Sequence, residues 1–311
     1  MVASLRGMST RTCLVVSDGR RGIENQALGL AEALADRTPL QIETLHLPRS
    51  GAVPPLTTNA DVWIGCGRAA VRAAAAHKRA LPEAKFVYVQ DPRAEHALFD
   101  LIIAPRHDRL SGPNVLNLVG SPNRVTPERL SEGARAFRDR LASLPGPRMT
   151  VLIGGDSKHH TFTPETCDYL LRALERVRAQ VGSLMITVSR RSPEPFIKAI
   201  EDHVRRDAGV WYHDGSGDNP YFAFLEAADF IAVTEDSTNM LCEAASTGKP
   251  VYRLGVDGKP GKFERLYAQL EGVAAVRPFL GKVEAWSYPP LHETARAADA
   301  VLEILPSGTN L

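Results

Sequence analysis

Short apolar runs alternate with segments of helical period along nearly the whole chain, and few folds accept that pattern. A run that is apolar on both faces needs cover on both faces, which a parallel sheet flanked by helices supplies. In the first half, 12–17, 41–46, 61–65, 86–90, 101–104 and 114–118 read as strands, with helices over 23–35 and 68–79. Thr126 followed by Pro127 marks a helix start, Thr as cap and Pro at the first helical position, running to about 144. In the second half, 150–153, 184–188, 210–212, 230–233 and 251–254 read as strands. Helices are expected over 164–180, 193–206 (capped by Ser192), 221–227, 263–269 and 291–305, with another closed by Gly248 and Pro250.

The run Leu144-Pro145-Gly146-Pro147 is the best linker. It divides the 311 residues into an N-terminal domain, 1–145, and a C-terminal domain, 146–311, and the length is comfortable for two cores. The expected fold class is α/β, two Rossmann-like domains facing across a cleft, with a hinge at 144–147.

Composition narrows the function. The 37 basic residues are balanced by 36 acidic ones, and aromatics are only 6%, so neither a nucleic-acid partner nor a base-stacking surface is expected. Cys13, Cys66, Cys167 and Cys242 are scattered, which argues against disulfides or zinc and for a reducing, cytoplasmic setting. No apolar run approaches eighteen residues, so no membrane span is expected, and a peripheral membrane contact stays open. The N-terminus carries Arg6 and Arg11 without an apolar core, unlike a secretory signal.

In open α/β sheets ligands sit outside the carboxyl ends of the strands, so the loops there are where chemistry is expected. The first loop, 17–26, has Gly19 and Gly22 but no GxGxxG spacing, which disfavours a dinucleotide. It concentrates Asp18, Glu24, Asn25 and Gln26, more polar function than a connection needs. Gln90-Asp91-Pro92-Arg93 and Pro105-Arg106-His107-Asp108 close later strands. Asp18, Asp91 and His107 are the candidate catalytic groups. Asp91 or His107 would suit a base for an acceptor hydroxyl, though Asp91 and Asp108 would equally cap a turn.

The second half opens its site with Gly154, Gly155, Ser157 and Lys158: the glycines would bring N–H groups close to a phosphate that the other two could contact. His159 and His160 lack the carboxylate or Cys set of a metal site, so no metal is expected. Arg190 or Arg191 would fork onto a diphosphate, or stand in solvent. The loop 213–221, with Asn219, is placed to cover a nucleobase, and Lys259 and Lys262 are a further cationic candidate or a plain surface turn.

The most informative stretch is 228–251: an apolar strand, the turn Glu235-Asp236-Ser237-Thr238, a helix, and a second strand. Glu243 lies six residues past Ser237, a rise of roughly 9 Å along a helix. A phosphate on the N–H groups at the helix start would leave the Glu243 carboxylate near a ribose diol. Its i−4 and i+4 neighbours, Asn239 and Thr247, offer it no salt bridge.

Taken together, Ser17-Asp18-Gly19, Gln90-Asp91-Pro92-Arg93, Ala104-Pro105-Arg106-His107-Asp108, Leu152-Ile153-Gly154-Gly155-Asp156, Asp218-Asn219-Pro220-Tyr221 and the 234–250 motif resemble the mitochondrial-fission "elongated mitochondria" protein family, across about 12–287. That family looks like a branch of the GT-B glycosyltransferases. Its last motif is similar to that of the enzyme adding N-acetylglucosamine to lipid I, where a Glu holds the donor ribose. The resemblance implies that Glu243 is the ribose ligand and that Ser237 and Thr238 line the diphosphate. It implies a metal-independent transfer from a nucleotide-diphosphate sugar, a substrate rather than a cofactor, to an unknown acceptor. Its alternatives are a nucleotide-sugar epimerase on the same fold and, as plant members imply, a non-catalytic fission adaptor. The lipid I enzyme has a His at the end of its first loop, and 18–26 has none, so the resemblance names no base.

Overall fold

The computed structural model describes residues 10–306; Arg6 and the last residues of the expected C-terminal domain lie outside that range. In chain order the first elements are β1 (Arg11–Ser17), α1 (Arg21–Ala35), β2 (Leu40–His46), β3 (Val62–Cys66), α2 (Arg68–Ala80), β4 (Lys85–Val89), β5 (Leu101–Pro105) and β6 (Val115–Leu118). There follow α3 (Pro127–Ala136), α4 (Arg138–Ala142), β7 (Arg148–Ile153), α5 (Pro164–Arg178), β8 (Ser183–Val188), α6 (Glu194–Val204) and β9 (Val210–His213). The last are α7 (Tyr221–Ala227), β10 (Phe230–Thr234), α8 (Thr238–Ala245), β11 (Val251–Leu254), α9 (Phe263–Gly272), β12 (Val276–Pro278) and α10 (Glu293–Ile304).

The described residues form two compact units, one reaching to Arg124 and resuming at His292, the other Val125–Leu291. The first unit's sheet is parallel throughout, in the order β2-β1-β3-β4-β5-β6. Strand side chains alternate between faces. Cys13, Val15 and Ile64 therefore pack with α1 and α10, while Leu14, Val16 and Trp63 pack with α2. Trp63 is fully buried, stacks on Phe86 at 4.8 Å and donates its indole N–H to His77 Nδ1 at 3.1 Å. Since α1 and α2 cover opposite faces and follow the neighbours β1 and β3, the switch point lies between those strands.

The second unit repeats the plan in the order β12-β11-β10-β7-β8-β9, also parallel. Its switch point lies between β7 and β10. Thr126 and Thr163 cap α3 and α5, each accepting from a backbone N–H three residues on at 3.2 Å. Among the described residues no helix is long and apolar enough to cross a membrane.

The units divide differently from the expected break between 145 and 146. The helix α3 packs on α7, so closely that a Cβ on Gly133 would meet Phe222 Cβ at 2.8 Å. The last helix, α10, returns to the first unit: Glu293 accepts from Val119 N at 2.7 Å, and Thr294 from Asn123 N at 2.9 Å. The crossings therefore fall at 124–125 and 291–292. The Pro-Gly-Pro run is no free hinge, because the Pro145 carbonyl accepts from Ser183 Oγ at 2.7 Å and Pro147 from Gly182 N at 2.8 Å. Proline and glycine report a turn, and packing decides which unit owns it.

Smaller differences have local causes. The helix expected to reach 144 breaks at Phe137, where α3 gives way to α4. Ser192 does not cap α6; its hydroxyl donates to the Gly154 carbonyl instead. The short edge strand β12 was not anticipated, because Val276-Arg277-Pro278 carries too little apolar pattern.

Gly29, midway along α1, has a would-be Cβ 2.3 Å from the Asn123 carbonyl oxygen, whereas Gly272 at the end of α9 has open space. Gly29→Ala is expected to lower stability in urea unfolding by about 1–3 kcal/mol, through overpacking against backbone. Gly272→Ala is expected to change it by less than about 1 kcal/mol.

Candidate functional site

At the carboxyl edge of the second sheet, three loops converge on one carboxylate. Asp236 follows β10, and its side chain has no exposed surface. Its Oδ2 accepts from the Gly155 N–H at 2.9 Å, in the loop after β7, and from Arg191 at 3.2 Å, in the loop after β8. The neighbouring Gly154 N–H donates to Thr234 Oγ1 at 2.7 Å. Burial pushes the Asp236 carboxyl above its usual range against the opposing pull of Gly155, Thr234 and Arg191.

This network reassigns several expected donor contacts. A Cβ on Gly154 would lie 2.1 Å from Asp236 Oδ2, and one on Gly155 would lie 2.1 Å from the Arg191 backbone. The glycines thus admit protein, and their N–H groups point at Thr234 and Asp236 rather than at a free phosphate site. Arg191 is exposed, but its guanidinium is taken up by the protein, donating to the Gly155 and Asp156 carbonyls at 2.8 and 2.7 Å. Arg190 stays exposed, and so does Lys158. Ser157 closes its own turn, accepting from His159 N and His160 N at 3.2 and 3.0 Å. Asn219 accepts from Tyr221 N at 3.1 Å and starts α7.

What this edge leaves open is the start of α8. Ser237 occupies the cap position, yet its side chain makes no capping bond. Ser237 and Thr238 are both partly exposed. Farther along the helix, Glu243 is partly buried, and Tyr221, the first residue of α7, donates its hydroxyl to Glu243 Oε2 at 2.5 Å. Burial pushes the Glu243 carboxyl up to about 7, and the Tyr221 hydrogen bond pulls the other way. In sequence Tyr221 ends the loop 213–221, opens the expected helix 221–227 and closes the Asp218–Tyr221 motif, but nothing there pairs it with Glu243. The signal for its role is that it opens a helix right after Asn219-Pro220.

At the carboxyl edge of the first sheet, Glu24 Oε1 accepts from Ser17 Oγ at 3.1 Å and also meets His46 Nε2. Ser17 Oγ in turn accepts from Gly19 N at 3.0 Å. Ser17 and His46 end the paired strands β1 and β2 in register. Gly19 turns the loop at φ +74°, and a Cβ there would lie 3.7 Å from the His46 ring. His46 is absent from the sequence-derived candidates, although two polar residues closing adjacent apolar runs were its signal.

The expected catalytic groups Asp18, Asp91 and His107 are engaged with neighbouring protein groups. Burial alone would raise the Asp18 carboxyl, but hydrogen bonds and charge from Arg20, with Arg49 beyond, hold it below the usual carboxylate range. That makes Asp18 a poor base. Asp91 accepts from Arg93 N at 2.7 Å, the turn-capping role, and faces Arg93 and His96 at 3.4 and 3.7 Å. His107 is buried against Asp108 at 3.7 Å.

Two all-parallel six-stranded sheets with interleaved helices, each with polar loops at its carboxyl edge, define a two-domain GT-B-type protein. The UDP-GlcNAc 2-epimerase of Methanocaldococcus jannaschii shares the fold with a TM-score of 0.56 at 11% identity, over 95% of this chain and 99% of that one. That epimerase has also been solved in complex with UDP-GlcNAc and UDP. Phytolacca americana UGT2, complexed with UDP-2fluoro-glucose and pterostilbene, matches with a TM-score of 0.54 at 10% identity, over 96% of this chain and 90% of that one. The chain belongs to the family described as Mitochondrial fission ELM1, which matches residues 21–305. The Arabidopsis thaliana Mitochondrial fission protein ELM1 is 31% identical over 267 residues, 77% of this chain, and the match spans 62% of that longer protein.

With Glu243 carried from 4.5 to about 7, the folded state holds a proton that the unfolded chain has lost between those values. Stability from this group is therefore full below about 4.5 and is lost as the pH rises through about 7. Glu243→Gln is expected to match the wild type in urea unfolding near about pH 5 and to exceed it near about pH 8, by no more than about 3 kcal/mol.

Proposed function

We propose that the second unit binds a nucleotide-diphosphate sugar and that the protein transfers the sugar to an acceptor hydroxyl without a bound metal. The observation that carries this reading is the start of α8. Two side-chain hydroxyls without a capping role, Ser237 and Thr238, stand one and a half turns before a partly buried carboxylate held by one donor, Tyr221. The diphosphate would take the hydroxyls and the N–H end of α8, with Arg190 and Lys158 as its cations. Glu243, ionised, would accept from the ribose diol, and the α7 segment at Asn219–Tyr221 would border the nucleoside.

The first unit would serve the acceptor. His46 replaces the expected bases: with Nε2–H assigned to Glu24, Nδ1 keeps a lone pair for the acceptor proton. The acceptor oxygen forms its bond to the anomeric carbon as the bond to the diphosphate breaks. The departing diphosphate takes that electron pair and is stabilised by the helix end.

The fold shared with the UDP-GlcNAc 2-epimerases makes epimerisation the second reading, since it needs the same donor grip. A fission adaptor, as the name of the plant relative suggests, needs none.

A melting-temperature screen against nucleoside diphosphates separates these. Ligand at about 100 times its dissociation constant is expected to add about 2.7 kcal/mol of stability. Glu243→Ala is expected to weaken the responding nucleotide by about 1.5–3 kcal/mol, the worth of a hydrogen bond to a charged group. A 2-epimerised sugar recovered without acceptor would replace the transferase by the epimerase. No response to any nucleotide would sink both and leave the adaptor.

A further inference from the structure

The carboxyl edge of the first sheet is arginine-lined in a way the composition does not require. The whole chain is balanced, 37 basic to 36 acidic. Yet the loops and helix starts that follow β1, β2, β3 and β4 carry Arg20 and Arg21, Arg49, Arg68 and Arg93, all exposed, with Arg21 and Arg68 opening α1 and α2. The opposite edge mixes signs, with Asp36 beside Arg37, Asp61, Glu83 near Lys85, and Asp100.

Acids are present at the arginine edge, but apart from the exposed Glu95 after β4 they lie beneath it. The side chains of Asp18, Glu24 and Asp91 are 4%, 15% and 19% exposed, against 50%, 72% and 79% for Arg20, Arg49 and Arg93. A solute arriving there meets guanidinium groups whose carboxylates hold them from below.

The edge is also fixed in place. Asp18 takes Arg20 at 2.8 Å and Arg49 at 4.0 Å, and Arg72 pins the second loop by donating to the Arg49 carbonyl at 2.7 Å. Neighbouring strands lie about 4.8 Å apart, so the four loops share a front of about 15 Å. That span suits one or two phosphate groups and the body attached to them. Planar forks presented from separate segments of a fixed edge suit bidentate phosphate recognition.

We propose that this edge is a binding site for a phosphate- or pyrophosphate-bearing ligand, with Arg21 and Arg68, which have no ion-pair partner among the described residues, as its forks and Arg20, Arg49 and Arg93 as flanking charges held by Asp18 and Asp91. The inference rests on the transferase reading only in naming that ligand the acceptor. His46 at the same edge would then face a hydroxyl of a phosphorylated acceptor.

The probe is inorganic pyrophosphate, titrated calorimetrically into the whole protein at low salt. Saturable binding that weakens with added salt is expected. Arg21→Gln with Arg68→Gln is expected to weaken it by at least about tenfold, with an unchanged melting temperature, since neither side chain holds the fold. A control pair on the second unit, Arg138→Gln with Arg172→Gln, is expected to leave it unchanged. The donor-site pair Ser237→Ala with Thr238→Ala is expected to leave most of it. Loss in the donor-site pair with none in the first pair would assign the anion to the second unit and overturn the proposal, as would no binding at all. Pyrophosphate binding that survives where no nucleotide responds would end the donor reading and keep this one. Vesicles of phosphatidylcholine with and without phosphatidic acid distinguish the source. Capture by the acidic vesicles, relieved by pyrophosphate, marks a lipid headgroup, and pyrophosphate binding without capture marks a soluble ligand.

Discussion

The second unit's edge depends on one buried carboxylate. Removing a charge from water costs several kcal/mol unless its partners are supplied by the protein, and Asp236 draws them from the loops after β7 and β8 while itself following β10. The tie requires Gly154, because no side chain fits 2.1 Å from a carboxylate oxygen. It requires Arg191 to turn inward over the Gly155 and Asp156 carbonyls. With the turn so held, the direction in which α8 leaves is set, and with it the positions of Ser237, Thr238 and Glu243. A second carboxylate in the same turn, Glu235, adds to the rigidity by taking Arg253 and the Val256 N–H, the latter at 3.0 Å.

The two sheets use polar residues in opposite ways at their carboxyl edges. In the second unit the polar groups of the loops bond to each other, and the few left over define the site. In the first unit Asp18, Glu24 and Asp91 turn inward beneath exposed arginines. The same topology, a strand followed by a loop and a helix on either side of a switch point, supports both. The difference lies in which charge is nearer the solvent, a property of side-chain length as much as of sequence. Arginine on a loop reaches outward, and an aspartate directly after a strand does not.

That distinction explains what was legible in the sequence. Period and length located most of the strands and helices, because burial on two faces forces short apolar runs bounded by turn residues. The strand–turn–helix unit around Ser237 and Glu243 was legible because its turn residues and its stop signals, Gly248 and Pro250, agree with each other. Ownership of helices was not legible: α10 and α3 carry ordinary amphipathic patterns, and only packing assigns them to a unit. Gly154 and Gly155 read equally well as ligand approach or as close protein packing, since both need a missing Cβ. His46 and Tyr221 become functional candidates only through partners 22 residues away in sequence each, Glu24 and Glu243.

Glu243 is a poor choice for structure alone. A partly buried carboxyl pushed up to about 7 weakens the fold at neutral pH, and a glutamine or methionine there would avoid that. One donor, the Tyr221 hydroxyl, occupies Oε2, which leaves the other oxygen able to accept. A ribose diol brings two hydroxyl donors, and their hydrogen bonds favour the ionised form. Under the proposed reading, then, ligand and proton compete for the same carboxyl, and nucleotide affinity rises as pH climbs through about 7, where the fold itself grows weaker. The opposite slopes follow from one group seen from two sides: what burial withholds from the empty site, a donor-bearing ligand supplies.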